Sequence, residues 1–287
     1  MPVLRASLGS VSRALADAAC TRRDNRRRRT RDMRACMTEL LGIGFSPWTE
    51  KARWALDARR IPYSFRHYQP LLGEPALRVK LRKLTGRVSV PVLTTDEGRV
   101  IADSAEIARW ADSRGEGPAL FPAGHEAAVA RFVALSERGL AAGRTLSLAR
   151  MLKSDEALAE MVPRPIRRAL GPLAPKLGAF GVARTQRKYG GDRSDLAAAK
   201  RALLADLDEL RAALAEAPAG DGPKTLLGHF SFADIAVAQM LAFGDPPASG
   251  LKLGPASRRS FSDPELRERY GDLLAWRDEL YRVFRKA

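Results

Sequence analysis

Ser46-Pro47-Trp48-Thr49 places a hydroxyl where a short apolar run, ending at Phe45, gives way to an amphipathic helix. The first turn of a helix favours negative charge, because its backbone N–H groups are free and the peptide dipoles are aligned. A serine hydroxyl at that junction can donate one more hydrogen bond to an anion. The layout is that of a redox motif with its sulfurs removed, since no cysteine stands nearby. The plainer assignment is that Ser46 only caps the helix, with Pro47 as its first residue.

Two further pairs have chemistry to offer. Val90-Pro91 precedes a strand-like run, and Asp103-Ser104 opens a helix with Glu106 three residues on, the spacing of a capping box. Arg87 and Lys83 are the nearest cations ahead of Val90. His67, His125 and His229 are scattered without metal-ligand spacing, and both cysteines, Cys20 and Cys36, precede the first convincing element. Neither a metal site nor a disulfide framework is expected. His67, on a strand, reads as a packed or surface histidine.

The elements that must position these residues run strand, helix, strand, helix, strand, strand, helix from Glu39 to about Arg114. Glu39–Gly44 is a short buried strand, and Pro47–Arg59 a helix with Trp48, Ala52, Ala55 and Leu56 on one apolar face. That spacing favours core packing for Trp48 over a place on the wall of a site, and turns Trp54 the other way. Tyr63–Tyr68 alternates as a second strand, parallel to the first by its helical crossover. A basic helix follows between Glu74 and Thr85. Val92–Thr95 and Arg99–Ala102 form a hairpin about Asp96-Glu97-Gly98, and a helix begins at Asp103.

After the Gly/Pro-rich Gly115–Glu126 the pattern is helical to the end. Leu196–Ala217 is the clearest helix. Gly228–Phe243 is the most apolar, with Ser231 as N-cap and Asp234 at N3. The proline-rich Met161–Phe180 is expected to break into short helical pieces or to be partly mobile. Three segments result: a disordered basic extension over 1–36, an α/β domain over 37–115 and an all-helical domain over 125–287.

The net charge of +16 invites a nucleic-acid reading, but residues 1–36 alone hold ten Arg and three Asp. The rest carries +9 spread over about 250 residues. The run Arg22–Arg34 has no interleaved aromatics and no recognition motif, so no specific nucleic-acid partner is expected. Three origins are open for this extension: a transit-type peptide, an anion-binding tail, or residues ahead of a true start at Met37, the last being favoured. No apolar run approaches the length of a membrane span.

Ser46-Pro47-Trp48-Thr49, Val90-Pro91, Asp103-Ser104 and the capped helix from Ser231, in this order within a βαβαββα pattern, resemble the soluble glutathione transferases over about residues 39–287. The resemblance implies a thioredoxin-like α/β domain followed by an all-α domain, with glutathione as co-substrate. It implies that Ser46 activates the thiol, that the Val90 backbone, through a cis Val90-Pro91 bond, holds the cysteinyl part, and that Asp103 and Ser104 hold the γ-glutamyl end. In glutaredoxin-like relatives a cysteine takes the place of Ser46. Serine cannot form the mixed disulfide, so the motif points to attack on an electrophile. Relatives hold the glycyl carboxylate with a Lys or Gln just before the Val-Pro; here that position is Ser89, and Arg87 is the nearest substitute. Trp48 is a candidate wall of the electrophile pocket between the domains. The partners implied are a small hydrophobic electrophile and a second copy in a homodimer, the setting cytoplasmic, and the role detoxification. Two rivals share these residues: a binding or interaction protein of this fold without turnover, and a glutathione-dependent isomerase or dehalogenase.

Overall fold

The computed structural model describes residues 38–70, 72–190, 195–220 and 222–285. The expectations for residues 1–36, including Cys20 and Cys36, and for a start at Met37 lie outside the described residues.

A four-stranded sheet of order β2-β1-β3-β4 organises the first domain. Strand β1 (Glu39–Gly42) is parallel to β2 (Ser64–His67), with Leu40 opposite Phe65. On its other side β1 is antiparallel to β3 (Val92–Thr94), which pairs with β4 (Val100–Ala102). Helix α1 (Pro47–Ala58) crosses from β1 to β2, α2 (Glu74–Lys80) lies between β2 and β3, and α3 (Ser104–Arg114) follows β4. Strand β1 ends two residues earlier than its apolar run suggests, because Gly44 and Phe45 turn the chain into α1.

The turn fixes where α1 begins. A side chain at Gly42 would collide with that of Thr49, whose Oγ1 accepts the Ile43 N–H at 3.2 Å. Helix α1 then packs on both sides. Ala52 and Leu56 join Leu40, Leu93, Ile101 and Ile107 against the sheet, while Trp54 and Ala55 enter the larger core of the helical domain. Trp54 faces that domain as its helical position predicts.

The second domain comprises α4 (Glu126–Met151), α5 (Asp155–Glu160), α6 (Arg164–Leu170), α7 (Ala174–Tyr189), α8 (Leu196–Glu216), α9 (Phe232–Ala238), α10 (Pro255–Phe261), α11 (Pro264–Arg269) and α12 (Gly271–Phe284). The proline-rich interval breaks as expected only as far as Leu173. From Ala174 it becomes one helix of 16 residues, because Pro175 occupies the first turn, where its missing N–H is no loss. Gly178 lets this helix meet the backbone of Leu158. The helix started by Ser231 tightens to a 3-10 turn over Gln239–Phe243. Its Asp234 is fully buried, and accepts the Ser231 N–H (2.9 Å), the Ser231 hydroxyl (3.0 Å) and the Leu226 N–H (2.8 Å).

Arg59 binds the connection between domains. Its guanidinium donates to the carbonyls of Asp112, Gly115, Gly117 and Pro118, and the Asp112 carboxylate takes the N–H groups of Leu120 and Phe121.

Candidate active site

Between the two domains lies a cleft of about 360 Å³, bounded by the starts of α1 and α3 on one side and by α4 and α7 on the other. Ser46 stands at its edge, half-buried, with its backbone serving the helix: its carbonyl accepts the Glu50 N–H at 3.0 Å. The hydroxyl makes no capping bond to α1. The N-cap assignment therefore holds for the backbone but not for the side chain, which lines the cleft instead.

Val90, Pro91, Asp103 and Ser104 line the same cleft, and the Val90-Pro91 bond is cis. Asp103 caps α3 through Oδ1, which accepts the Ala105 N–H at 2.8 Å. It does so at φ +79°, a backbone conformation that costs a non-glycine residue about 1–3 kcal/mol. The returning arm of the expected capping box is not made, because Glu106 is turned toward Arg109 instead, 3.7 Å away. Ser104, the first residue of α3, is buried.

Trp48 packs against the larger core, as its spacing favours, and also lines the cleft. It is half-buried on the cleft wall, and its indole N–H donates to Glu137 Oε2 at 2.7 Å across the domain boundary. Glu137 also holds Lys51, a fully buried residue, through Oε1 at 2.7 Å. Burial pushes the Lys51 ammonium below its ordinary range, partly offset by Glu137. Trp48 reaches both the core and the cleft because α1 lies in the domain interface, so both of its flanks are covered and charged side chains find partners there.

Arg87 is not among the residues lining this cleft. It borders an adjoining basic hollow with Arg78, Arg184, Arg187 and Lys188. His67 is exposed and packs edge-on against Phe65, as a surface histidine. Among the described residues no group of three or more His, Cys, Asp or Glu is placed to hold a metal ion, and no helix is long and apolar enough to cross a membrane.

Several lining residues escape the sequence reading. Tyr68 follows β2 with its hydroxyl buried and without a hydrogen-bond partner among the described residues, and burial pushes that hydroxyl's pKa up to about 12. Arg144 on α4 and Tyr189 at the end of α7 face each other across the mouth. Leu148, Met151, Met161, Phe243 and Phe261 supply an apolar floor. The helical periodicity marks many of these as apolar; nothing in it says which open onto a cleft.

Two known domain families match the chain. A glutathione S-transferase N-terminal domain model matches residues 45–114, and a glutathione S-transferase C-terminal domain model matches 185–279, together more than half of the chain. The chain belongs to the glutathione S-transferase superfamily.

Solved structures of this superfamily share the fold at low identity. A glutathione transferase from Phanerochaete chrysosporium is 20% identical with a TM-score of 0.57, the match covering 88% of this chain and 99% of that one. A glutathione S-transferase of Ceriporiopsis subvermispora, solved in complex with glutathione, is 18% identical with a TM-score of 0.55, covering 87% and 96%. One from Methylobacillus flagellatus, with glutathione bound, is 20% identical at 0.52, covering 86% and 96%. No curated protein matches the sequence.

Proposed function

We propose that the cleft binds glutathione and that Ser46 activates its thiol for attack on an apolar electrophile. The observation that carries this reading is the Ser46 hydroxyl: it stands at the start of α1, is not used to cap that helix, and lines one cleft with Val90, Asp103 and Ser104. A free thiol has a pKa of roughly 8.5, so little thiolate exists at neutral pH. The helix start and one hydroxyl donor both favour the anion. Together they lower the thiol pKa by about one to two units, worth roughly 1.4–3 kcal/mol. The thiolate sulfur then bonds to the electrophilic carbon, and the leaving group departs with its electron pair or, in an addition, the π electrons shift to the neighbouring atom.

In this reading the Val90 backbone pairs with the cysteinyl amide. Ser104 meets the α-carboxylate with its hydroxyl and N–H at the start of α3. Asp103, with Oδ2 lacking a hydrogen-bond partner among the described residues, meets the α-ammonium. The glycyl carboxylate extends toward Arg87 in the neighbouring hollow. The electrophile lies on the floor formed by Met151, Phe243 and Phe261. Arg87's place outside the main cleft favours a second reading, a binding or interaction protein of this fold without turnover.

Retention on glutathione-agarose and conjugation of 1-chloro-2,4-dinitrobenzene test the proposal. Wild type retains and conjugates, while Ser46→Ala retains but loses most of its conjugation, about tenfold or more at neutral pH. Retention without conjugation by wild type selects the second reading, and the absence of both removes the two together.

A further inference from the structure

Six charged side chains line the cleft: Glu74, Asp103, Glu137, Arg144, Arg184 and Lys188. Five have hydrogen-bond or ion-pair partners within the protein. Glu74 takes Arg184 at 2.7 Å and Lys188 at 3.6 Å, besides Arg78 at 2.8 Å. Asp103 accepts the N–H groups that begin α3. Glu137 has one oxygen on Lys51 and the other on Trp48, both at 2.7 Å.

Arg144 is the exception. Its guanidinium lies over the Tyr189 ring at 4.1 Å and the Trp48 ring at 4.9 Å, so two aromatic contacts hold it in place. Neither contact neutralises it, and it has no hydrogen-bond or ion-pair partner among the described residues. Glu137, two turns back on α4, has its oxygens on Lys51 and Trp48 and acts on Arg144 only through its charge. Burial presses on the Arg144 cation, Tyr189 and Glu137 counter part of that, and the like charge of Arg87 adds to it. A half-buried planar cation, held against two rings on the wall of the cleft, is matched by a carboxylate, which it can grip with two parallel bonds.

Resting on the function proposed above, we propose that the electrophile taken by this cleft is an apolar molecule bearing a carboxylate, and that Arg144 selects it by pairing with that group. The apolar part reaches the floor at Leu148, Met151 and Phe243 while the charged end stays at the mouth. Arg144 is then a specificity-determining residue. In a conjugate addition of this kind the thiolate sulfur bonds to the terminal alkene carbon. The π pair moves to the carbon beside the carbonyl, a solvent proton ends there, and nothing leaves.

Two matched pairs test this on the full chain. Ethacrynic acid and its methyl ester carry the same enone and differ in the charge. Wild type with glutathione should favour the acid in kcat/KM by about tenfold or more, the discrimination expected of a hydrogen bond to a charged group. Arg144→Gln should bring the ratio near one, and Arg144→Lys should restore part of it. Biphenyl-4-carboxylate and biphenyl-4-carboxamide, which do not react, give a calorimetric readout that needs no turnover. The carboxylate should bind wild type at least about tenfold more tightly than the amide, and Arg144→Gln should erase the difference. Equal binding of the two by wild type, or a preference that survives Arg144→Gln, overturns the inference. So does a fall in glutathione affinity in Arg144→Gln as large as the fall for the biphenyl acid, which would assign the cation to the tripeptide's own carboxylates. If no electrophile is conjugated but the biphenyl preference stands and follows Arg144, the transferase reading fails and the anion site remains.

Discussion

Lys51 Nζ and Glu137 Oε1 lie 2.7 Å apart across the domain boundary, with the lysine fully buried and the carboxylate still open to the cleft. The pair is therefore asymmetric. Replacing the lysine by methionine removes a buried charge and leaves a carboxylate that water can reach, so Lys51→Met should change stability by no more than about 1 kcal/mol. Glu137→Ala strands the ammonium in the interior and should cost about 3 kcal/mol. Urea unfolding of both variants checks this, and equal costs would contradict it.

Two glycines of α4 make a matched pair. At Gly143 a methyl group would press on the ring and Cβ of Phe243, whereas at Gly139 it meets the flexible end of Met240. Alanine gains about 1 kcal/mol of helix propensity at either place. Gly139→Ala should therefore be neutral or slightly stabilising. Gly143→Ala should lose about 1–3 kcal/mol to overpacking and, by displacing Phe243 into the cleft, raise KM for bulky electrophiles. Thermal unfolding together with a substrate-size series separates the two.

Asp234 carries a pH signature. Burial is the main cause, only partly countered by its three donors, and its carboxyl is pushed up to about 6. An unfolded chain releases the same proton near an ordinary aspartate value of about 4. Between those values the folded chain holds a proton the unfolded one has lost, so this group's contribution to stability falls as pH rises. The stability difference between wild type and Asp234→Asn should shrink by roughly 3 kcal/mol from pH 4 to pH 6.5 and then stay level. Denaturation curves at intervals of half a pH unit would show it, and a constant difference would refute the assignment.

The role proposed for Ser46 predicts a shift in the pH–rate profile. Ser46→Ala keeps the helix start but loses the hydroxyl donor. The apparent pKa of kcat/KM for 1-chloro-2,4-dinitrobenzene should therefore rise by about one unit. Ser46→Thr, which retains a donor, should keep most of the lowered value. Ultraviolet difference spectra of the bound thiolate give the same pKa without turnover.

Much of the α/β domain is legible because its signals are local. The hairpin about Asp96-Glu97-Gly98, the alternation after Tyr63 and the serine ahead of Pro47 each depend on a few neighbouring residues. The cleft residues Ser46, Val90, Pro91, Asp103 and Ser104 stand at element ends, where turn and cap chemistry shows in the sequence. What the sequence hides is set by contacts between distant segments. The core packing of Trp48 is legible from its spacing, but its contact across the cleft is not, since helical spacing cannot reveal that Glu137, 89 residues later, accepts its N–H. Arg144 has the same limitation: its meaning comes from partners already taken by others. Helix α7 is underestimated for a local reason, since a proline counted as a breaker occupies the one turn that tolerates it.

Trp54 packs at a tilt on Tyr281, ring centroids 4.5 Å apart, and gives its indole N–H to the Phe284 carbonyl, so a fully buried tryptophan of the first domain sits among residues from the far end of the chain. The halves cannot be parted without opening a wet seam through hydrocarbon. Separately expressed fragments would stick to one another or to anything greasy, and heating the intact protein should melt both in a single step.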